Sequence, residues 1–169
     1  MFQNRILNIG LYLVYLLPVL ILTGPFLSGL ALSAVSLISL YLILYKKKFH
    51  YLNNKLSIFI LLWLIYLVLR SLFSENILLS LESSLFYSRF YFYSLFIYYA
   101  ICELDSFKKI YVKILFITLA ITITDAFIQL IFGQNILGFE YSVNRLSGFF
   151  GEELILGSYI SKLIFCITG

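Results

Sequence analysis

The sequence predicts an all-α, polytopic transmembrane helix bundle, and three observations lead there. Hydrophobic residues make up 62% of the 169 and charged residues only 12%, about half the charge of a soluble domain. The apolar residues fall into long runs whose lengths suit a hydrocarbon core of about 30 Å. Lysine and arginine gather in alternate connections, as expected when positive loops stay in the cytoplasm.

Taken in order, the runs give about five complete spans and the start of a sixth. The first covers residues 6–23 and the second 26–45, with "TGP" (23–25) supplying the turn between them. No small-residue cleavage site follows the first run, so it reads as a helix of the bundle and not as a secretory signal. The third covers 56–73, the fourth 85–101 and the fifth 110–132. The sixth begins near Leu154, and a crossing from there needs to reach about residue 173. The expectation is therefore one transmembrane domain over residues 1–169, the N-terminal portion of a longer protein.

Orientation follows from charge. "YKKKFHYLNNK" (45–55) is the most basic connection and belongs in the cytoplasm. Alternation then places the N-terminus with Arg5 inside, together with Lys108, Lys109 and Lys113. The connections at 74–84 and 133–153 fall outside. They carry Glu75, Glu82, Glu140, Glu152 and Glu153 against a single basic residue, Arg145. The net charge of +4 is that of cytoplasmic loops and implies no nucleic acid. Two cysteines and one histidine are too few for a disulfide framework or a His/Cys metal site. Cys102 and Cys166 read as small buried hydrophobes. No metal and no cofactor is expected.

Ionisable groups within a membrane are costly and suggest function. Arg70, Arg89, Arg145 and Lys162 all fall in the outer half by this topology, against the positive-inside trend. Each alone could snorkel to lipid phosphate; together they suggest a shared anionic ligand. In the fifth span Thr118, Thr122, Asp125 and Gln129 recur at spacings of four, three and four, one face of a helix. That face should point into protein. Asp125 needs a partner there, and Arg89 is the first choice, as a structural ion pair. The aromatic run "SRFYFYSLFIYY" (88–99) suits an interfacial belt, although aromatic faces also stack on sugars. Trp63, Tyr66 and Arg70 share a helical face that either lines a cavity or packs.

Five of the nine glycines lie between positions 133 and 157. "NRLSGFFGEELILGSYISK" (144–162) joins them to Arg145 and two acids. Glu152 and Glu153 would sit in the first turn of the sixth helix, where its dipole favours them. The glycine spacing beside Arg145 also suits a loop whose exposed amides hold a phosphate, with a carboxylate nearby to accept a proton. Ser147, Gly148 and Gly151 belong to that candidate loop.

"DAFIQLIFGQNILGFE" followed by "NRLSGFFGEELILGSYISKL" resembles the bacterial O-antigen ligase and polymerase family. The matching positions are Asp125, Gln129, Gly133, Asn135, Gly138, Arg145, Ser147, Gly148, Phe150, Gly151, Glu153, Gly157 and Ser158, about a quarter of the chain. The resemblance implies a metal-independent glycosyltransferase of the bacterial inner membrane. Its donor is a glycan on undecaprenyl diphosphate, and its acceptor is a hydroxyl of a glycan or of lipid A-core at the periplasmic face. It also implies further spans and a large periplasmic loop beyond these residues. Glu153 would position or deprotonate the acceptor hydroxyl. Arg89 and Arg145, with Arg70, Lys162, Ser147, Gly148 and Gly151, would bind the donor, and Asp125 and Gln129 would be structural. Other readings are a transporter or flippase for an anionic polysaccharide precursor, and a non-catalytic assembly subunit.

Overall fold

The structure is a computed structural model that describes all residues except 1, 46–51, 141–144, 152–154 and 169, with the side chains of 2–4 also outside the description. Six α-helices make up nearly all of it: α1 (Phe2–Leu22), α2 (Pro25–Tyr45), α3 (Lys55–Ser71), α4 (Ile77–Glu103), α5 (Phe107–Phe132) and α6 (Leu156–Thr168). Among the described residues there is no strand, and an isolated antiparallel bridge joins Gln134 and Glu140.

Among the described residues, three helices are long and apolar enough to cross a membrane: α1 from Arg5, α2 and α5. Large apolar side chains cover their outer faces, among them Tyr12, Phe26, Leu37 and Phe127. In water such a surface would drive aggregation; in lipid it is the expected exterior. This is a helical membrane protein. The 17 residues of α3 lie at the short limit for a crossing. The 27 residues of α4 are ample in length but include Glu82, Arg89 and Glu103.

Two boundaries differ from expectation. Residues 77–84, read above as loop, are the first two turns of α4. Their serines make this possible by turning their hydroxyls onto the preceding turn, Ser83 to Leu79 O at 2.9 Å and Ser84 to Ser80 O at 2.6 Å. The start of α6 falls at Leu156, with no acid in its first turn. Glu152 and Glu153 lie outside the described residues. Cys102 and Cys166 are exposed, not buried as expected.

The chain divides into two compact units. Unit 1 comprises Met1–Val14 and Gly29–Asp105; unit 2 comprises Tyr15–Ser28 and Ser106–Gly169. In unit 1 the short connection between α3 and α4 makes them neighbours. Ile43, Tyr91 and Leu95 form the core there, with Leu52, Ile60, Leu64 and Phe92 packed around them. Tyr91 takes its hydroxyl into this core by bonding Ser57 Oγ at 2.7 Å, which removes the cost of an unpaired polar group. Phe96, 1% exposed, rests on Gly10 so closely that a Cβ there would lie 2.7 Å from its Cζ. Most of the aromatic run that could have served a sugar is thus at least partly occupied in packing.

In unit 2, Leu115, Tyr159 and Leu163 join α5 to α6, with Ile21, Leu22, Tyr111, Leu119, Phe150 and Ile167 around them. The Tyr159 hydroxyl donates to Pro18 O at 2.5 Å, tying α6 to the end of α1. Phe107, Tyr111 and Tyr15 stack at the start of α5, the first two rings 5.5 Å apart and nearly parallel.

Candidate functional site

The polar face of α5 is buried as its spacing requires. Thr118 is 3% exposed, and Thr122, Asp125 and Gln129 are each 0%. The threonine hydroxyls return to carbonyls of their own helix. Asp125 and Gln129 instead reach outward into the segment that follows.

Gly133 ends α5 in the left-handed region, φ 77°, and its amide bonds Gln129 O. This is the position where a helix most readily accepts glycine, since a Cβ there would be strained. The turn sends the chain back along α5. Ile136 N then donates to Asp125 Oδ1 at 3.1 Å, and Asn135 Nδ2 donates to Oδ2 at 3.3 Å. Neutral donors, and not a cation, therefore hold this carboxylate. Arg89, the expected partner, belongs to unit 1. Two N–H groups of the following turn already offset part of the desolvation of this carboxylate.

Asn135 is the centre of the loop, 4% exposed. Its Nδ2 also donates to Gly148 O at 2.7 Å, while Oδ1 accepts from Leu137 N at 3.0 Å and Phe139 N at 2.8 Å. Two donors and two lone-pair directions are the whole capacity of a carboxamide, and all four are in use. Gln129 acts in the same way one turn above Asp125. Its Oε1 accepts from Ser147 N at 3.1 Å and Gly148 N at 2.9 Å, and its Nε2 faces Ser147 Oγ at 3.1 Å, Phe139 O at 3.3 Å and Glu140 O at 3.4 Å. Two amide side chains thus fasten both arms of the connection to the end of one helix.

This changes the reading of the glycine loop. The amides of Ser147 and Gly148, expected to face a phosphate, are spent on Gln129. Both residues are buried, and their place is in holding the loop. Gly148, at φ 54°, starts a 3-10 turn through Phe150. A Cβ on Gly148 would stand 3.3 Å from Leu156 Cδ1 and 3.4 Å from Asp125 Oδ2, so glycine is needed for space as well as for conformation. Gly151 takes φ 61° and ψ −116° with Phe139 packed over it. Arg145 is exposed, two residues before the buried Ser147. Lys162 is exposed on α6 of the same unit. Glu153 lies outside the described residues.

Arg70 and Arg89 belong to unit 1. Arg89 lines a cavity of about 450 Å³ with Glu82, Ser83, Phe86, Tyr87 and Phe90. Arg70 lines an adjoining one of about 500 Å³ that shares Ser83 and Tyr87 and adds Ser71, Ser80 and Ser84. The Arg89 guanidinium carbon lies 5.3 Å from the Phe86 ring centre and 5.1 Å from that of Phe90, cation–π contacts on an apolar wall. Its Nε is buried with no hydrogen-bond partner, an unused donor that an anion could take. On α2, Gly29 and Ser36 let α4 approach: Ser36 Oγ donates to Arg89 O at 2.5 Å. Trp63 and Tyr66 contact each other, ring centres 5.8 Å apart, and both are more than half exposed; Arg70 of the same face lines the second cavity.

Sequence reasoning passed over Asn135 as a hub and Tyr159 as the tie to Pro18. The signal for Asn135 was its place two residues after a helix-ending glycine, with a second glycine three residues on. No protein-family model, curated protein or solved structure matches this chain.

Proposed function

We propose that the chain is part of an inner-membrane glycosyltransferase of the O-antigen ligase and polymerase type, with its N-terminus in the cytoplasm and five spans leading into a sixth. The carrying observation is the buried network of Asp125, Gln129, Asn135, Ser147 and Gly148. Five of the thirteen positions on which the resemblance rests, spread over 24 positions of sequence, bond to one another in unit 2. A motif whose members hold one another supports a common purpose for the whole segment.

In this reading an acceptor hydroxyl attacks the anomeric carbon of a glycan carried on undecaprenyl diphosphate. The new glycosidic bond forms as the bond to the diphosphate oxygen breaks. The leaving diphosphate gains negative charge, which prepositioned cations stabilise. Arginine suits the task because its planar fork matches phosphate oxygens. Arg89 and Arg145 are the cations assigned to it, with Arg70 and Lys162 secondary, and Glu153 accepts the hydroxyl proton. Gly151 shapes the loop, and Ser147 and Gly148 support it from within.

The test uses the full-length protein and a lipid-diphosphate donor in vitro. Arg89→Ala and Arg145→Ala should each lower transfer by about two orders of magnitude, the scale of losing one transition-state donor. Wild-type transfer by both variants would remove the assignment.

A further inference from the structure

The turn that follows α5 folds back toward the middle of that helix, and its apolar tip is exposed among the described residues of unit 2. From residue 114 to 132, α5 carries no basic residue and is about 28 Å long at 1.5 Å per residue, close to the thickness of a hydrocarbon core. Asp125 lies roughly 10 Å below the end of that run by the same rise. Ile136 is nevertheless bonded through its amide to Asp125. Leu137 goes further, lining an almost wholly apolar cleft of about 410 Å³ with Ile114, Ile117 and Ile121 of α5 and Val19 of α1. The chain therefore leaves α5 at Gly133 and descends again beside it.

Two further observations define what surrounds the tip. Ile136 and Leu137 are each 63% exposed, next to Ile131 and Phe132 at 72% each. Beneath these side chains, every backbone N–H from Asn135 to Phe139 is bonded within the protein: to Phe139 O, Asp125 Oδ1, Asn135 Oδ1, Asn135 O and Asn135 Oδ1 in turn. A turn in water has no need to satisfy five successive amides internally. A turn in hydrocarbon does, because no solvent is there to serve them.

We infer that residues 133–140 form a re-entrant turn whose tip, Ile136 and Leu137, lies among the acyl chains of the leaflet that holds the C-terminal end of α5. The inference rests on the membrane character of the protein and not on the glycosyltransferase reading. Its partner is the bilayer itself, and its effect is to set the depth of the Asn135–Gln129 network, and so of Arg145, relative to the lipid surface.

The experiment places a single cysteine at Leu137→Cys, or separately at Ile136→Cys, in the full chain with Cys102→Ser and Cys166→Ser. Each is labelled with an environment-sensitive fluorophore and reconstituted in phosphatidylethanolamine/phosphatidylglycerol vesicles. Blue-shifted emission, quenched several-fold more strongly by phospholipid doxyl-labelled on the acyl chain than by iodide, is the expected result. Dominant quenching by iodide would place the tip in water, and quenching by neither would place it under protein; either overturns the inference. Should both variants fail to fold, the unmodified protein is irradiated in vesicles containing an acyl-chain diazirine phospholipid. Adducts at 136–137 support the inference, and adducts confined to the helices overturn it.

Discussion

Asn135 shows how much of this structure depends on single side chains. Its carboxamide serves four groups, three of them backbone groups that have no other partner among the described contacts. Asn135→Ala would leave Gly148 O and the amides of Leu137 and Phe139 unpaired. At about 1–3 kcal/mol for each unsatisfied buried group, the loss should come to about 3 kcal/mol or more. Thermal unfolding of the purified variant in detergent would read it as a lowered midpoint; an unchanged midpoint would mean that water replaces the carboxamide. Arg89 illustrates the opposite condition. It keeps an unused buried donor between two aromatic rings, a state that costs stability and that an anionic ligand would relieve.

At the scale of the element, helix contacts are set by where the chain places its smallest residues. Gly10 on α1 admits the Phe96 ring of α4. Gly10→Leu should cost about 1–3 kcal/mol through overpacking. Combined with Phe96→Ala, the loss should be smaller than the sum of the two single losses, since the second change makes room for the first. Additive losses in the double-mutant cycle would show that the two side chains do not meet. The elements also show what could be read beforehand. The bounds of α2 and α5 follow from apolar runs ended by Pro25, the basic 45–55 stretch and Gly133, and the buried face of α5 follows from its spacing. The first turns of α4 were hidden because serine and Glu82 look like loop residues until their hydroxyls are seen to bond back to the helix. The neutral donors that reach Asp125 were not legible, because charge matching on a linear sequence takes no account of N–H groups supplied by a turn ten residues on.

For the whole molecule, three membrane-length helices among the described residues and an exterior of Leu, Ile and Phe define a membrane protein, and its proposed orientation rests on the charge distribution. The two native cysteines test that orientation without engineered sites, since both are exposed at the protein surface. With the N-terminus inside, Cys102 at the end of α4 should be protected from an impermeant maleimide in intact spheroplasts and react once they are opened. Cys166, roughly 15 Å along α6 from Leu156 at the helical rise, should stay unlabelled in the bilayer in both cases. Labelling of Cys102 from outside would invert the topology, and with it the side on which Arg145 works. The grip of Gln129 has a consequence in descent. A carboxylate at position 129 could still accept from two successive amides but could donate nothing to Ser147, Phe139 or Glu140. Drift toward glutamate there would demand a compensating donor in the loop, so positions 129 and 147 are expected to covary through any lineage that keeps this turn.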